Sequence, residues 1–528
     1  MRDLIVKGLA VVLLAVVSVG CSDSDKAIDS PTPPASVDRK VSAIFLDAAT
    51  SRPVTGTLDV TVRDEAGALS AVAQNAAGQA MNHFSVTNGI AVFAVSRTAP
   101  LPFTLQVIAT AEGYDPAVAR VVMSADGEVE VTARMANRAL PPPGAVAVVR
   151  PLGSANASGT TADAMTATTL GSVSAPAVSL TVPAATTLLD SAGAPLTGAL
   201  TARLSYYDTN EPAAFAMLPG NGEALVAGQS GQFVSAGFAS VEIADASGRR
   251  AATSSAALPL RINVSPVADP STGAVVGNGS MLPAWSYSAD TGRWRSDGTA
   301  NVTRDAQDRL EVLAQPNHFS FFNFGWLCSS ACTAPTTVLV SGNPNNLRLT
   351  ALATLVNGGW ARLYSSADSN PNQFVLKDAI PQRATRISIR LDGVQVGETV
   401  VQDPCAGGQV TVPVNVPVVQ PADLVVRVAR VCEEDTSKRT SVGKSATVVV
   451  APLGSLVLPL FDSTDANGEV TFRGLRAGLT YRVYTYVFGI DEYQVASKTL
   501  VPGQNVLDVT LPTTCEGTGA TGASGGTR

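Results

Sequence analysis

Histidine is almost missing from this chain: there are two in 528 residues, His83 and His318. Aromatic residues make up 5% and charged residues 15%. So few imidazoles leave little material for general-base catalysis or for a histidine-rich metal site. A basic excess is also lacking. Lys and Arg number 36 against 43 Asp and Glu, a net charge of −7. That excludes the basic stripe expected of a nucleic-acid binder and the polybasic patch that draws proteins to anionic lipid. No segment keeps a 3.6-residue apolar period, so helices should be few and short. Beyond the first twenty residues no apolar run approaches the roughly 20 residues that span a bilayer.

What is present is Ala, Val, Thr and Ser, with 45 Gly and 33 Pro as punctuation. Apolar segments of five to ten residues recur, broken by Gly, Pro, Asn and Asp, which is the pattern of an all-β chain. VSAIFLD (41–47), LDVTVRD (58–64), GIAVFAVS (89–96) and FTLQVIAT (103–110) open the series. Residues 40–138 read as a first β-sandwich domain, and ALPPPG (139–144) as a stiff linker. A larger β-domain follows over 145–328, a third unit over 336–420 and a fourth over 422–516. The Gly/Ser/Thr-rich tail 517–528 reads as disordered.

The N-terminus carries its own instruction. Arg2 and Lys7 precede an apolar run from Gly8 to Val17, closed by Ser18-Val19-Gly20-Cys21. The run is a signal-peptide core, too short to span. This resembles a bacterial lipoprotein signal, residues 1–20, with Cys21 as the lipidated residue; Ser18 replaces the Leu most often found there. The resemblance implies membrane attachment through a diacylglycerol on Cys21, where two acyl chains suffice for stable anchoring. Ser22, rather than Asp, after Cys21 implies sorting to the outer membrane, facing the periplasm or the cell surface. Residues 21–39 form a Pro-rich tether, expected to be disordered and on the order of 25 Å in reach. Removal of 20 residues from 528 leaves 508, enough for several domains.

Five cysteines remain: Cys328, Cys332, Cys405, Cys432 and Cys515. With five choices of the free residue and three pairings of the rest there are 15 schemes. The favoured pairs are Cys432 with Cys515, and Cys405 with Cys328 or Cys332. A zinc site at Cys328-x₃-Cys332 lacks a second close ligand pair and is disfavoured.

Two resemblances add to this. TDANGEVTFRGLRAGLTYRVYTYV (464–487) is similar to the carboxypeptidase-regulatory-like, or transthyretin-like, β-sandwich, and FLDAATSRPVTGTLDVTV (45–62) resembles the first hairpin of such domains. In the second unit, Trp285, Asp290-Thr291-Gly292, Trp294 and Gly298-Thr299, followed by NHFSFFN (317–323), resemble a β-domain of bacterial surface proteins and of cartilage intermediate layer proteins. The first implies an Ig-like sandwich; the second implies an extracellular, non-catalytic module. The fold class is therefore all-β: serial Ig-like or transthyretin-like β-sandwich domains behind a lipidated tether.

Candidate chemistry is thin. His83 and His318 each stand in Asn-His-Phe-Ser but in different units, without a G-x-S-x-G elbow. Ser441-Val-Gly-Lys444 fits S-x-x-K without its companion motifs, and Gly443-Lys444-Ser445 lacks the upstream Gly of a phosphate loop, with Lys438 in its place. Asp462, Asp465, Asn467 and Glu469 resemble half a calcium loop, yet Arg473 or Arg476 occupies the twelfth position. Trp285, Trp294, Trp326 and Trp360 are candidate sugar-stacking platforms against a competing role in the core. Trp360, in Asn-Gly-Gly-Trp, is the one expected to be exposed. The expectation is a non-enzymatic envelope protein without a cofactor, presenting modules for binding, adhesion or scaffolding to a protein or glycan ligand. The alternative is a carbohydrate-binding or carbohydrate-active protein that uses Trp360, Trp285 and Trp294.

Overall fold

The computed structural model describes residues 38–515, apart from 170–176, 227–228, 289–291, 330–331, 333, 367–369, 378–382, 454–458 and 491. The signal segment, Cys21, the tether before Asp38 and the tail 517–528 lie outside the described residues. Among the described residues the chain is all-β, with one α-helix of four residues, Pro212–Phe215.

In the first unit, strand Arg39–Asp47 lies between Ile90–Val95 and Gly127–Met135. A second sheet, in the order 83–87, 57–64, 103–110, 117–123, faces it. Alternation selects the core: Val41, Ala43 and Phe45 from one sheet meet Val60, Val62 and Val107 from the other. The third and fourth units repeat one device of the first. In each, the opening strand pairs in parallel with the closing one: Arg39–Asp47 with Gly127–Met135, Thr337–Ser341 with Gln409–Pro413, and Pro421–Cys432 with Gly503–Thr513. The second unit is built differently. An 11-stranded sheet curls on itself, so that Leu180 and Ile262 near one end share a core with Leu204 and Val241 near the other.

The units follow one another along the sequence, but in space they close a ring. Asp115 of the first unit accepts hydrogen bonds from Arg138 Nε (2.8 Å) and from Tyr207 of the second (2.5 Å). Ser235 N of the second donates to Gly359 O of the third (2.8 Å). Arg348 N of the third donates to Gly474 O of the fourth (2.8 Å), and Arg476 pairs with Asp392 at 3.3 Å.

The fourth unit then returns to the first. All nine residues of Arg39–Asp47 are buried, as are all of Ile90–Val95 and Ala446–Pro452. A strand covered on one face alternates; these do not, because a second core covers the other face. Ile44, Leu46, Ile90, Val92 and Ala94 pack there against Val449, Ala451, Tyr484 and Phe488. Ser42 and Thr447 hydroxyls meet at 2.9 Å across this seam, and Lys40 Nζ donates to Lys444 O (3.1 Å) and to Ser463 Oγ (3.2 Å). At about 1.5–3 kcal/mol per buried large aliphatic or aromatic side chain, such a patch outweighs the polar contacts around it.

Among the described residues two disulfides are present. Cys432–Cys515 (Cα–Cα 5.5 Å) joins the parallel opening and closing strands of the fourth unit at their C-terminal ends, and Cys332–Cys405 (4.9 Å) ties the chain just ahead of the parallel opening and closing strands of the third. Of the two partners expected for Cys405, Cys332 takes the bond and Cys328 is free. Burial pushes the Cys328 thiol up to about 11. Cys328 and Cys332 therefore do not form a thiolate pair for a metal.

Candidate functional site

The four tryptophans separate by environment. Trp360 is 2% exposed. Its Nε1 donates to Gln232 Oε1 at 2.7 Å, and it fills the junction of the second and third units. Its exposure, expected from the Gly-Gly turn, is corrected: the turn is real, with Gly358 and Gly359 at φ 73° and 80°, but it docks against Ser235 and Val267. A Cβ on Gly359 would stand 2.8 Å from Ser235 O. Trp294 is also a core residue rather than a platform, 5% exposed and packed between Phe233 (ring centroids 4.8 Å) and Tyr287 (5.2 Å). Trp326 is partly buried against the same core.

Trp285 is different. It is half-buried on strand Met281–Ser288, with Nε1 donating to Gly325 O at 2.8 Å and its ring tilted against Phe233. It lines a cleft of about 430 Å³ together with Arg295, Asp297, Gln315, Asn317 and His318. The hairpin brings these together. Strand Met281–Ser288 runs antiparallel to Arg293–Arg304, with Trp285 opposite Ser296, while Trp294 points inward and Arg295 outward.

The electrostatics of the cleft follow from one bond. Arg295 Nη2 donates to His318 Nδ1 at 2.7 Å, so the ring proton is held on Nε2. Nε2 is buried without a hydrogen-bond partner, with Asp297 Oδ2 3.7 Å away. Burial and the adjacent Arg295 cation lower the His318 pKa, against the opposing pull of Asp297. Arg295 also donates to Ser286 Oγ (3.0 Å) and pairs with Asp297 (3.2 Å). The arrangement holds a neutral imidazole, a carboxylate, a guanidinium and an indole around one hollow. It offers hydrogen bonding and stacking. Within this network Arg295 donates to Ser286 Oγ and to His318 Nδ1, so the guanidinium bridges the serine and the histidine.

The remaining candidates are dispersed. His83 is exposed on strand His83–Thr87, 3.2 Å from Thr61 Oγ1. Ser441 Oγ accepts from Gly443 N (3.0 Å) and shapes the turn before Lys444, whose carbonyl receives Lys40. The half calcium loop is a hairpin turn: Asp465 Oδ1 accepts from Asn467 N (2.8 Å) and Glu469 N (3.0 Å), and these bonds hold its pKa below the usual value. The same five-residue turn, with an Asx oxygen receiving the amide four residues on, occurs at Asp64, Asn75, Asn156, Asp190, Asp245 and Asp305. Acidic residues that look free in the sequence are thus turn-formers. Among the described residues no three His, Cys, Asp or Glu side chains gather to hold a metal.

Sequence reasoning singled out Trp285 and His318 but not Arg295 or Asp297. Their signal was the alternation in Trp294-Arg295-Ser296-Asp297, which puts Arg295 and Asp297 on the face opposite Trp294.

No known protein-family profile matches the sequence, and no curated protein matches it significantly. Among solved structures, the Bacillus anthracis TIE protein aligns with 70% of this chain at 8% identity and a TM-score of 0.15. The chain spans 58% of that protein's length. The full-length major pilin RrgB from Streptococcus pneumoniae aligns over 89% of this chain and 99% of its own (8% identity, TM-score 0.12). The FN1–FN3 domains of chicken CNTN1 align over 47% and 94% (10% identity, TM-score 0.10). Scores this low carry no functional inference.

Proposed function

We propose that this is a lipid-anchored, non-enzymatic envelope protein that presents a stiff four-unit β-body for binding, adhesion or scaffolding. One observation carries the reading: strand Arg39–Asp47 is built into two cores at once, so the segment next to the N-terminal tether is locked to the fourth unit. A tethered rigid body suits display or scaffolding. The lipoprotein-like signal supports outer-membrane attachment, and the two disulfides suit an oxidising compartment. The resemblance of the second unit to cartilage-intermediate-layer-like domains points to a non-catalytic extracellular module.

The test has two arms. A Cys21→Ser variant should leave the membrane fraction; a variant that stays there would sink the anchor. Protease shaving of intact cells, read by mass spectrometry of peptides from 40–515, then assigns the face. Release from intact cells means surface display, while protection until the outer membrane is opened means a periplasmic scaffold. Turnover of a generic glycoside, ester or peptide substrate, abolished by Asp297→Asn, would overturn the non-enzymatic reading.

A second reading, glycan capture, is favoured by the Trp285 cleft. Polysaccharide titration should shift tryptophan fluorescence in the wild type and not in Trp285→Phe. A response that survives this change would assign the signal elsewhere.

A further inference from the structure

Where the first three units meet there is a second cleft, of about 460 Å³. Its walls come from all three. The first gives Ser51, Thr132 and Arg134, the second Phe215 and its short helix, and the third Thr350, Leu352, Arg362 and Arg390. Sheet register explains the polar groups. Along Gly127–Met135 the residues alternate, so that Val131 and Ala133 enter the first unit's core while Thr132 and Arg134 face away from it. In the third unit Arg390 is the cross-strand partner of Thr350.

The charge in this cleft is one-sided. Three guanidinium groups line it, and no carboxylate does among the described residues. Arg362 is paired with Glu223 at 2.8 Å. Arg134 has only long contacts, 3.4 Å to Ala48 O and 3.3 Å to Ser51 Oγ. Arg390 Nε is buried and has no hydrogen-bond partner. The neighbouring carboxylate, Asp47, is occupied: it accepts from Ala49 N, Thr50 N, Thr50 Oγ1 and Tyr114 OH, all within 3.0 Å. Burial lowers the Arg134 pKa to about 10 despite the pull of Asp47. A desolvated guanidinium with unmatched donors is stabilised by a planar oxyanion, to which it can donate two parallel bonds.

We propose that this cleft is a binding site for a small organic anion, a carboxylate or phosphate monoester with an apolar portion. Arg134 and Arg390 hold the oxyanion, and Phe215 and Leu352 cover the apolar part. Concave sites with an apolar lining and a few convergent polar groups, placed at unit junctions, are where small ligands bind. The site is separate from the Trp285 cleft and does not depend on the anchoring or display reading.

The experiment uses the purified chain from residue 21 onward. Isothermal titration with hexanoate and with hexyl phosphate, against hexanol as the neutral counterpart, separates the carboxylate and phosphate sources. At least one anion should bind at millimolar Kd or tighter, and hexanol about tenfold more weakly or not at all. Arg390→Gln should weaken anion binding about tenfold, with Arg390→Lys intermediate, because an ammonium supplies charge without the planar fork. Ala361→Asp, a carboxylate placed in the cleft wall, is the second variant, kept in case Arg390→Gln does not fold, and should abolish binding. Equal affinity for hexanol and hexanoate, no heat from either anion up to about 10 mM, or wild-type binding by the folded variants would overturn the site.

Discussion

Glu130 stands on Gly127–Met135 among Glu128, Asp462 and Lys40, at the seam between the first and fourth units. Its Oε1 is buried without a partner. Burial first, then the repulsion of Glu128 and Asp462, raises its pKa from 4.5 to about 8, while Lys40 opposes the shift; Lys40 is engaged by Glu128 at 3.1 Å. In the unfolded chain this carboxyl loses its proton near 4.5; in the fold it keeps it to about 8. Between those values the unfolded state binds fewer protons than the folded one. Stability therefore falls as pH rises through that window and levels off above it. The melting temperature should drop between about pH 5 and about pH 8. Glu130→Gln should remove most of that drop and change little at the acid end. A scan of melting temperature against pH for both proteins checks it, and parallel curves would refute it. A second residue-scale expectation concerns Trp360. Trp360→Ala should cost about 3–5 kcal/mol of stability by emptying the junction of two units, measured by chemical denaturation. A loss under about 1 kcal/mol would contradict its placement in the core.

At the scale of the element, Ala446–Pro452 serves two cores by alternation. Val448 and Val450 belong to the fourth unit's own core, Val449 and Ala451 to the seam. Two single changes one residue apart should then do different things. Val449→Asp should part the first and fourth units and leave the fourth folded, seen as a larger radius of gyration in small-angle scattering with strand content kept. Val448→Asp buries an unpaired charge inside the sandwich and should unfold that unit. Identical phenotypes would mean that the register is wrong.

These strands also mark how far the sequence can be read. Their existence and their type were legible, because β-branched runs ended by Gly and Asp allow little else. The uninterrupted runs Ala43–Leu46 and Ile90–Val95 also carried a sign of two-sided burial. What they could not carry is the identity of the second cover, since Val449 and Phe488 lie hundreds of positions away and no local pattern encodes a partner. The same limit applies to the Trp285 cleft. Trp285 and His318 were visible as rare residues. The bond from Arg295 that sets the histidine's proton depends on the pairing of separate strands. The Asn-Gly-Gly-Trp turn misled for the opposite reason: local chemistry fixed the turn correctly, and docking on the second unit then buried it.

At the scale of the whole molecule, continuity between units sets cooperativity. Arg138 links Asp115 at 2.8 Å and Glu242 at 3.6 Å across the first junction, with Arg138 and Asp115 under 10% exposed. Removing one member of a buried ionic group typically costs about 3–5 kcal/mol. Calorimetry of the oxidised chain should show one dominant transition, and Arg138→Met should lower it or split it. Four separate transitions in the wild type would mean that the units melt alone and that the ring is not one cooperative body.

The seam has a consequence for how such a chain comes into being. Ser42 and Thr447 touch, yet 405 positions separate them. A ribosome adding about 5–20 residues per second needs roughly 20–80 s to travel that distance. From the completion of Met135, the last residue of that sheet, until Thr447 is made, Ile44, Leu46, Ile90 and Val92 lack the cover that the fourth unit supplies. The earliest unit made is therefore the one whose apolar face waits longest for its cover.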